Sequence, residues 1–191
     1  MKNNTRDTKS YRQQAALAEW NLQQTAGFTI FGTLKLDRID GESISTEAAD
    51  TIVKRFWAKV DRVYYPSRAV KNGARVKRLI YWQQGDWGNN HYHFLAQPPT
   101  DDPNSFIAVL TALWDSISPH TDIGSSWIQE CRSFNGAAAY LAHEVSSLGT
   151  DSLKPDLTHL AAPLGRPEDY QTPRQAQRIA RAQVQHHTSH N

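Results

Sequence analysis

Two different spacings of hydrophobic residues alternate along the chain and predict the order of its elements. Phe28 to Leu36 is rich in aromatic and β-branched residues, which is typical of a core strand. From about residue 45 to 63, apolar residues recur every three or four positions, as in a helix that buries one side. Apolar runs over residues 75–84 and 91–96 flank a polar loop, and this arrangement predicts a β-hairpin.

The second half of the chain repeats the alternation of helix and strand. Asp102 caps a predicted helix that has Pro103 in its first turn, and residues 123–132 predict another strand. A helix of small residues follows over about residues 133–145. The order strand, helix, strand, strand, helix, strand, helix predicts an α+β fold, with helices packed on an antiparallel central sheet.

Composition shifts divide the chain into three predicted segments. Residues 1–26 are an N-terminal extension with a short helix, and residues 27–150 form the main domain. Residues 151–191 are expected to be a partly disordered extension, first proline-rich and then basic, with no acidic residue after Asp169. We expect a short helix near residues 173–185, and we attribute His186, His187 and His190 to tail composition.

Charge and cysteine content exclude some classes of protein. The formal net charge is only +2, and the single cysteine, Cys131, excludes an internal disulfide and a cysteine-based zinc site. A lone cysteine also fits a reducing compartment. Because the sequence has no apolar run of membrane length and no signal-peptide core, we expect a soluble cytoplasmic protein.

Basic residues are concentrated in one part of the chain. Nine lie between Lys54 and Arg78, where Asp61 is the only acid. Such a stripe attracts phosphate groups when it lies on one surface, but it is equally compatible with an ordinary solvated surface. The sequence leaves both interpretations open.

The predicted hairpin carries a candidate metal site. Residues two apart on a strand point the same way, so His91 and His93 share a face and Tyr92 takes the other. If Gln84 pairs with His91 across the hairpin, its amide oxygen joins that face as a third ligand. Imidazole and oxygen ligands suit Mn²⁺ or Mg²⁺ with open positions for water and phosphate. Two ordinary strand histidines are the alternative.

The small-residue helix carries a candidate nucleophile, Tyr140. A phenol that attacks phosphorus forms a covalent phosphotyrosine and divides strand cleavage and rejoining into two transesterifications. His143 lies three residues later on the same helix face, where it would contact the phosphate or help to orient or deprotonate the phenol. A tyrosine that packs against the core with a hydrogen-bonded hydroxyl is the alternative.

Three segments together resemble the HUH endonuclease superfamily. They are Phe31-Gly-Thr-Leu-Lys-Leu36, the His91-Tyr92-His93 strand, and Ala137-Ala-Ala-Tyr140-Leu-Ala-His143. The chain is most similar to single-tyrosine, Rep-like initiators of rolling-circle replication, over roughly residues 27–146. The resemblance implies a palm fold, metal-dependent and sequence-specific nicking of single-stranded or origin hairpin DNA, and a 5′-phosphotyrosine. A host helicase or replisome protein is a further candidate partner in a prokaryotic or phage-infected cell. The oligomeric state stays open.

Two positions depart from the family pattern. The family often has glutamate where Gln84 stands, and His143 replaces the lysine that follows the tyrosine by three residues. Both changes are compatible with an enzyme of weak or altered activity. No GxxxxGK[ST] phosphate loop occurs in the sequence, so no helicase domain is fused within it.

Other functions are compatible with the same residues. A single-tyrosine transposase shares the chemistry but acts at hairpin element ends. A catalytically silent DNA-binding module would bind DNA in a salt-dependent way and form no covalent product. A small globular protein with functionally irrelevant histidines is the fourth possibility. If DNA is bound, Trp82, Trp87 and Tyr92 are the aromatic residues expected to stack on bases, with core packing as the alternative.

Overall fold

The computed structural model describes residues 5–36, 42–85, 90–161 and 177–181 of the chain. The elements from the N-terminus to residue 152 are α1 (Thr5–Gln24), β1 (Ile30–Leu36), α2 (Thr46–Tyr64), α3 (Ser67–Lys71), β2 (Arg78–Gln84), β3 (Asn90–Ala96), α4 (Pro103–Asp115), β4 (Thr121–Glu130), α5 (Phe134–Leu148) and a 3-10 turn (Gly149–Ser152). No helix within the described ranges is long and apolar enough to cross a membrane.

The four strands form one sheet in the order β2-β3-β1-β4, and every neighbouring pair is antiparallel. The run β1-α2-β2-β3-α4-β4 is a split β-α-β arrangement, in which β3 lies between the two parallel strands β1 and β2. The predicted α+β fold with an antiparallel central sheet is therefore confirmed.

One face of the sheet is covered by α2 and α4. The Ser45 hydroxyl accepts the backbone N–H of Ala48 and caps α2, whose apolar side then packs on the sheet. Aromatic rings join the layers, with Trp57 edge-on to Phe94 of β3 at 5.2 Å. This face holds the larger of the two hydrophobic clusters, so it supplies most of the core.

A buried ion pair ties α2 to the start of β2. Asp61 is only 1% exposed, and its Oδ1 accepts hydrogen bonds from the Val76 backbone N–H and from Arg78 Nη1, at 2.9 and 2.8 Å. The Arg78 guanidinium also lies over the Trp57 ring, 4.8 Å from its centroid. Both charges are thus paired, which is the condition under which ions are tolerated in a core.

The opposite face of the sheet is covered by α1 and α5. Asn21 of α1 connects the layers, because its Nδ2 donates to the Ala138 carbonyl of α5 and its Oδ1 accepts the Tyr81 hydroxyl of β2. Leu141 of α5 is buried against Leu95 and neighbouring apolar residues of the sheet. These contacts fix α5 over the strands that carry the histidines.

The chain continues along the sheet edge beyond the predicted boundary at residue 150. The backbones of Arg78 and His159 exchange two hydrogen bonds of 2.8 Å each, and Lys154 N–H donates to the Ile80 carbonyl. Residues 151–161 therefore cover the outer edge of β2. Residues 177–181 are helical, and Arg178 donates to the Arg62 carbonyl. The rest of the predicted extension, including His186, His187 and His190, lies outside the described residues.

Candidate functional site

The histidine strand has the alternation that its sequence predicts. His93 lies opposite Thr33 of β1 and Tyr81 of β2, on the face covered by α1 and α5. Tyr92 points into the larger cluster on the other face and is fully buried, with its hydroxyl donating to Asp50 Oδ1 at 2.7 Å. His91 and His93 share one face, and their ring centroids are 5.7 Å apart.

The predicted pairing of Gln84 with His91 is wrong by one residue. Gln83 lies opposite His91, and Gln84 lies opposite Asn90. The strand begins at Asn90, one residue earlier than expected, and a shift of one residue moves every side chain to the other face. Gln84 is therefore exposed on the face away from the histidines. Gln83 occupies the position opposite His91 that the sequence predicted for Gln84.

Hydrogen bonds hold the His93 ring at both nitrogens. Nε2 is 2.9 Å from Gln83 Oε1, and Nδ1 is 2.9 Å from Thr33 Oγ1. Because an amide oxygen only accepts hydrogen bonds, Nε2 carries the proton here, and Thr33 donates its hydroxyl hydrogen to Nδ1. The ring is 4% exposed, and this burial, together with nearby His91 and Lys35, lowers the pKa of His93 to about 3.

The surroundings of the second imidazole also favour its neutral form. Burial, and then the charge of Lys35 on the adjacent strand, lower the pKa of His91. Gly85 follows β2 beside this ring, and any Cβ at that position would collide with His91 Cε1. The lack of a side chain at residue 85 therefore makes room for the His91 ring. The lone pair of His93 is on Nδ1, where it accepts the Thr33 hydroxyl hydrogen.

A divalent cation at this site would be held by neutral ligands. His93 Nε2 donates to Gln83 Oε1 at 2.9 Å, so His93 would bind a cation through Nε2 only with its proton moved to Nδ1. His91 adds a second imidazole. The described residues contain no cluster of three or more histidine, cysteine, aspartate or glutamate side chains suited to a metal. His91, His93 and Gln83 are thus the candidate ligands, and none of them contributes a negative charge.

The structure brings Tyr140 to the histidine strand. Its ring meets His93 edge-on, with centroids 5.1 Å apart and planes at 87°, and it meets Phe31 at 5.9 Å. Its side chain is nevertheless 47% exposed, which is unlike a tyrosine of the core. His143 is exposed one turn later on α5. Tyr140 and His93, which are 47 residues apart in sequence, therefore form one site.

Of the aromatic residues expected to stack on bases, the two that the structure describes are not at this site. Tyr92 is in the core, Trp82 packs against the core on the opposite face under the Lys154 ammonium group at 5.0 Å, and Trp87 lies outside the described residues. The aromatic residue beside the site is Trp127, which no sequence motif predicted. It is 46% exposed on β4 and packs on Phe31 with centroids 5.3 Å apart.

The basic stripe also lies away from the histidines. Within it, Arg75 and Arg78 are paired with Asp61, at 3.3 and 2.8 Å. The exposed basic residues Lys54, Arg55 and Lys59 belong to α2, which covers the opposite face of the sheet. Among the residues that the structure describes, Lys35 is the basic residue beside the histidines, since it lies opposite His91.

No protein-family model, curated protein or solved structure matches the chain. Function is therefore inferred from the residues and their geometry.

Proposed function

We propose that the protein is a single-tyrosine nickase and strand transferase for single-stranded DNA, with a palm fold of the HUH, Rep-like kind. The observation that carries the proposal is the edge contact between Tyr140 and His93. Two separate sequence motifs predict these residues to act in one reaction, and the helix that carries the tyrosine packs on the face that carries both histidines. Initiation of rolling-circle replication of a phage or plasmid, in the cytoplasm of a prokaryotic cell, is the biological role that fits this chemistry.

The proposed reaction consists of two phosphoryl transfers at Tyr140. Its phenolic oxygen forms a bond to the scissile phosphorus, the bond from phosphorus to the 3′-oxygen breaks, and that oxygen leaves as a 3′-hydroxyl after taking a proton. The phosphate stays on tyrosine as a 5′-phosphotyrosine. In the reverse sense, a 3′-hydroxyl attacks the same phosphorus and restores the phenol, so the strand is rejoined without another energy source.

The neighbouring side chains have distinct roles in this proposal. His91, His93 and Gln83 would hold Mn²⁺ or Mg²⁺, which when bound polarises the phosphate and offsets its developing charge. Thr33 fixes the orientation of His93 through the hydrogen bond to Nδ1. His143, one turn from the nucleophile, contacts the phosphate or accepts the phenolic proton. Lys35 adds positive charge beside His91.

A covalent product provides the direct test. Purified protein is incubated with a pool of labelled single-stranded oligonucleotides, with Mn²⁺ or with chelator, and resolved on a denaturing gel. The proposal predicts a shifted protein–DNA band that needs the metal and is lost in Tyr140→Phe. The matched control is Tyr11→Phe, because Tyr11 is also an exposed tyrosine, at 71%, but lies on α1. A band that persists in Tyr140→Phe refutes the choice of nucleophile.

A catalytically silent DNA-binding module is the second candidate. It is favoured by the hydrogen bonds that occupy both ring nitrogens of His93 and by the lack of a carboxylate among the candidate ligands. It predicts DNA binding without adduct and without a metal requirement. A single-tyrosine transposase would form the same adduct, and cleavage of hairpin element ends in preference to an origin would identify it.

A further inference from the structure

Trp127 belongs to an exposed aromatic surface that reaches the proposed site. Its ring packs on Phe31 at 5.3 Å, and Phe31 in turn contacts Tyr140 at 5.9 Å and stacks on His93 at 6.0 Å. Trp127 and Tyr140 are both nearly half exposed, whereas Phe31 beneath them is buried. Trp127 and Tyr140 therefore form an aromatic surface beside the histidines, and the buried ring of Phe31 packs against both.

A bulge in β4 holds Trp127 in this position. Thr33 pairs with Trp127 and Lys35 pairs with Asp122, so β4 advances five residues while β1 advances two. Ser126, the residue before the tryptophan, fixes the irregularity. Its Oγ accepts the Lys35 backbone N–H at 2.8 Å and Trp114 Nε1 at 3.1 Å. Bulges commonly redirect side chains next to functional sites.

The surroundings of the ring indicate a nucleobase as its occupant. Aromatic side chains stack on unpaired bases regardless of base identity. Trp127 and His93 flank Thr33 on its two neighbouring strands, so their Cα atoms are separated by about two strand spacings, roughly 10 Å. Trp127 and Tyr140 also both contact Phe31, at 5.3 and 5.9 Å between ring centroids, so a segment of a few nucleotides reaches from one ring to the other. A strand whose phosphate lies at Tyr140 therefore brings a base over the indole.

We propose that Trp127 stacks on an unpaired base a few nucleotides or fewer from the phosphate at Tyr140, and so positions the strand for cleavage. This inference rests on the proposed function, because it assumes that the strand passes Tyr140 and the histidines. It names single-stranded rather than duplex DNA as the ligand, since a paired base is covered on both faces by its neighbours in the stack.

Binding measured without metal tests the inference separately from cleavage. The anisotropy of a labelled single-stranded oligonucleotide is followed in the presence of chelator, for the unaltered chain and for four variants. Trp127→Ala and Trp127→Leu remove the aromatic ring, Trp127→Phe retains one, and Tyr11→Ala removes an exposed aromatic residue elsewhere. We expect affinity to fall about 5- to 150-fold in the first two variants, which is the range for one stacked base. Trp127→Phe should bind severalfold more tightly than Trp127→Leu, and Tyr11→Ala should bind as the unaltered chain does.

A second comparison locates the stacked base. In the unaltered chain, one abasic position in the oligonucleotide should weaken binding, and the same position should have little further effect in Trp127→Ala. Trp127→Leu with unchanged affinity, alongside normal adduct formation, would overturn the stacking inference alone. Trp127-dependent binding with no adduct would support stacking and refute the nickase. No binding of single-stranded DNA by the unaltered chain would overturn both.

Discussion

Gln83 Oε1 lies 2.9 Å from His93 Nε2, and Gln83 also faces His91 across the hairpin. This contact identifies Gln83, and not its sequence neighbour Gln84, as the third candidate ligand. We expect the site to bind a divalent cation weakly, because an amide oxygen carries no net charge to offset the charge of the cation. The affinity of the site should therefore respond strongly to one added carboxylate at residue 83.

Gln83→Glu should tighten Mn²⁺ binding roughly tenfold, because ligand charge is a main determinant of affinity at oxygen sites. Gln84→Glu is the matched control, since it adds the same charge one residue away on the opposite face of the sheet. Isothermal titration calorimetry of both variants compares the two positions. Tightening by Gln84→Glu but not by Gln83→Glu would contradict the register of the hairpin.

Thr33→Val should weaken Mn²⁺ binding by about 10- to 100-fold, the usual effect of losing a partner of a ligating histidine. The hydroxyl that contacts His93 Nδ1 both donates and accepts hydrogen bonds, so it would accept a hydrogen bond from Nδ1–H if Nε2 bound a metal. Thr158→Val serves as control, because the Thr158 hydroxyl accepts the Ile80 N–H at the edge of the sheet. Equal metal affinity in the two variants would refute a role for Thr33.

Burial of neutral His93 should make the metal-free protein sensitive to acid. Its pKa falls from 6.5 to about 3 on folding, so between these values the unfolded chain binds a proton that the folded chain does not. The free energy of unfolding should be constant with respect to this group above pH 6.5 and fall toward pH 3, by up to about 1.4 kcal/mol per pH unit. Urea denaturation over this range should show a shallower slope in His93→Gln. An unchanged slope in His93→Gln would contradict the burial of a neutral ring.

Asp61→Asn should destabilise the fold by about 3–5 kcal/mol, because it leaves the buried Arg78 guanidinium without its counter-charge. The comparison variant is Lys154→Met, which breaks the more exposed pair with Asp50 and should cost about 1 kcal/mol or less. Denaturant midpoints of both variants provide the measurement. A loss below about 1 kcal/mol for Asp61→Asn would show that the buried pair contributes far less than its burial implies.

The sequence predicted correctly the features that depend on hydrophobic periodicity within a single helix or strand. Alternation along β3 placed His91 and His93 on one face, and helical spacing predicted the helix that carries Tyr140. The sequence did not predict the features that depend on how distant segments pair. The register of Gln83 and Gln84 follows from where β3 begins after the loop. The exposure of Trp127 follows from a bulge in β4 and from how far α5 extends across the sheet, and neither leaves a pattern within β4 itself.

The most direct test of the central claim is to identify the residue that carries DNA. Protein treated with a single-stranded oligonucleotide and Mn²⁺ is digested with nuclease and trypsin and analysed by tandem mass spectrometry. Because Lys154 and Arg166 are each followed by proline, where trypsin does not cleave, the expected peptide runs from Ser133 to Arg174. It contains Tyr140 and Tyr170, which the fragment ions distinguish. We predict that this peptide carries a nucleotide through Tyr140, and only in samples with metal. A nucleotide on another residue, or none in protein that binds the oligonucleotide, would contradict the proposed tyrosine nickase.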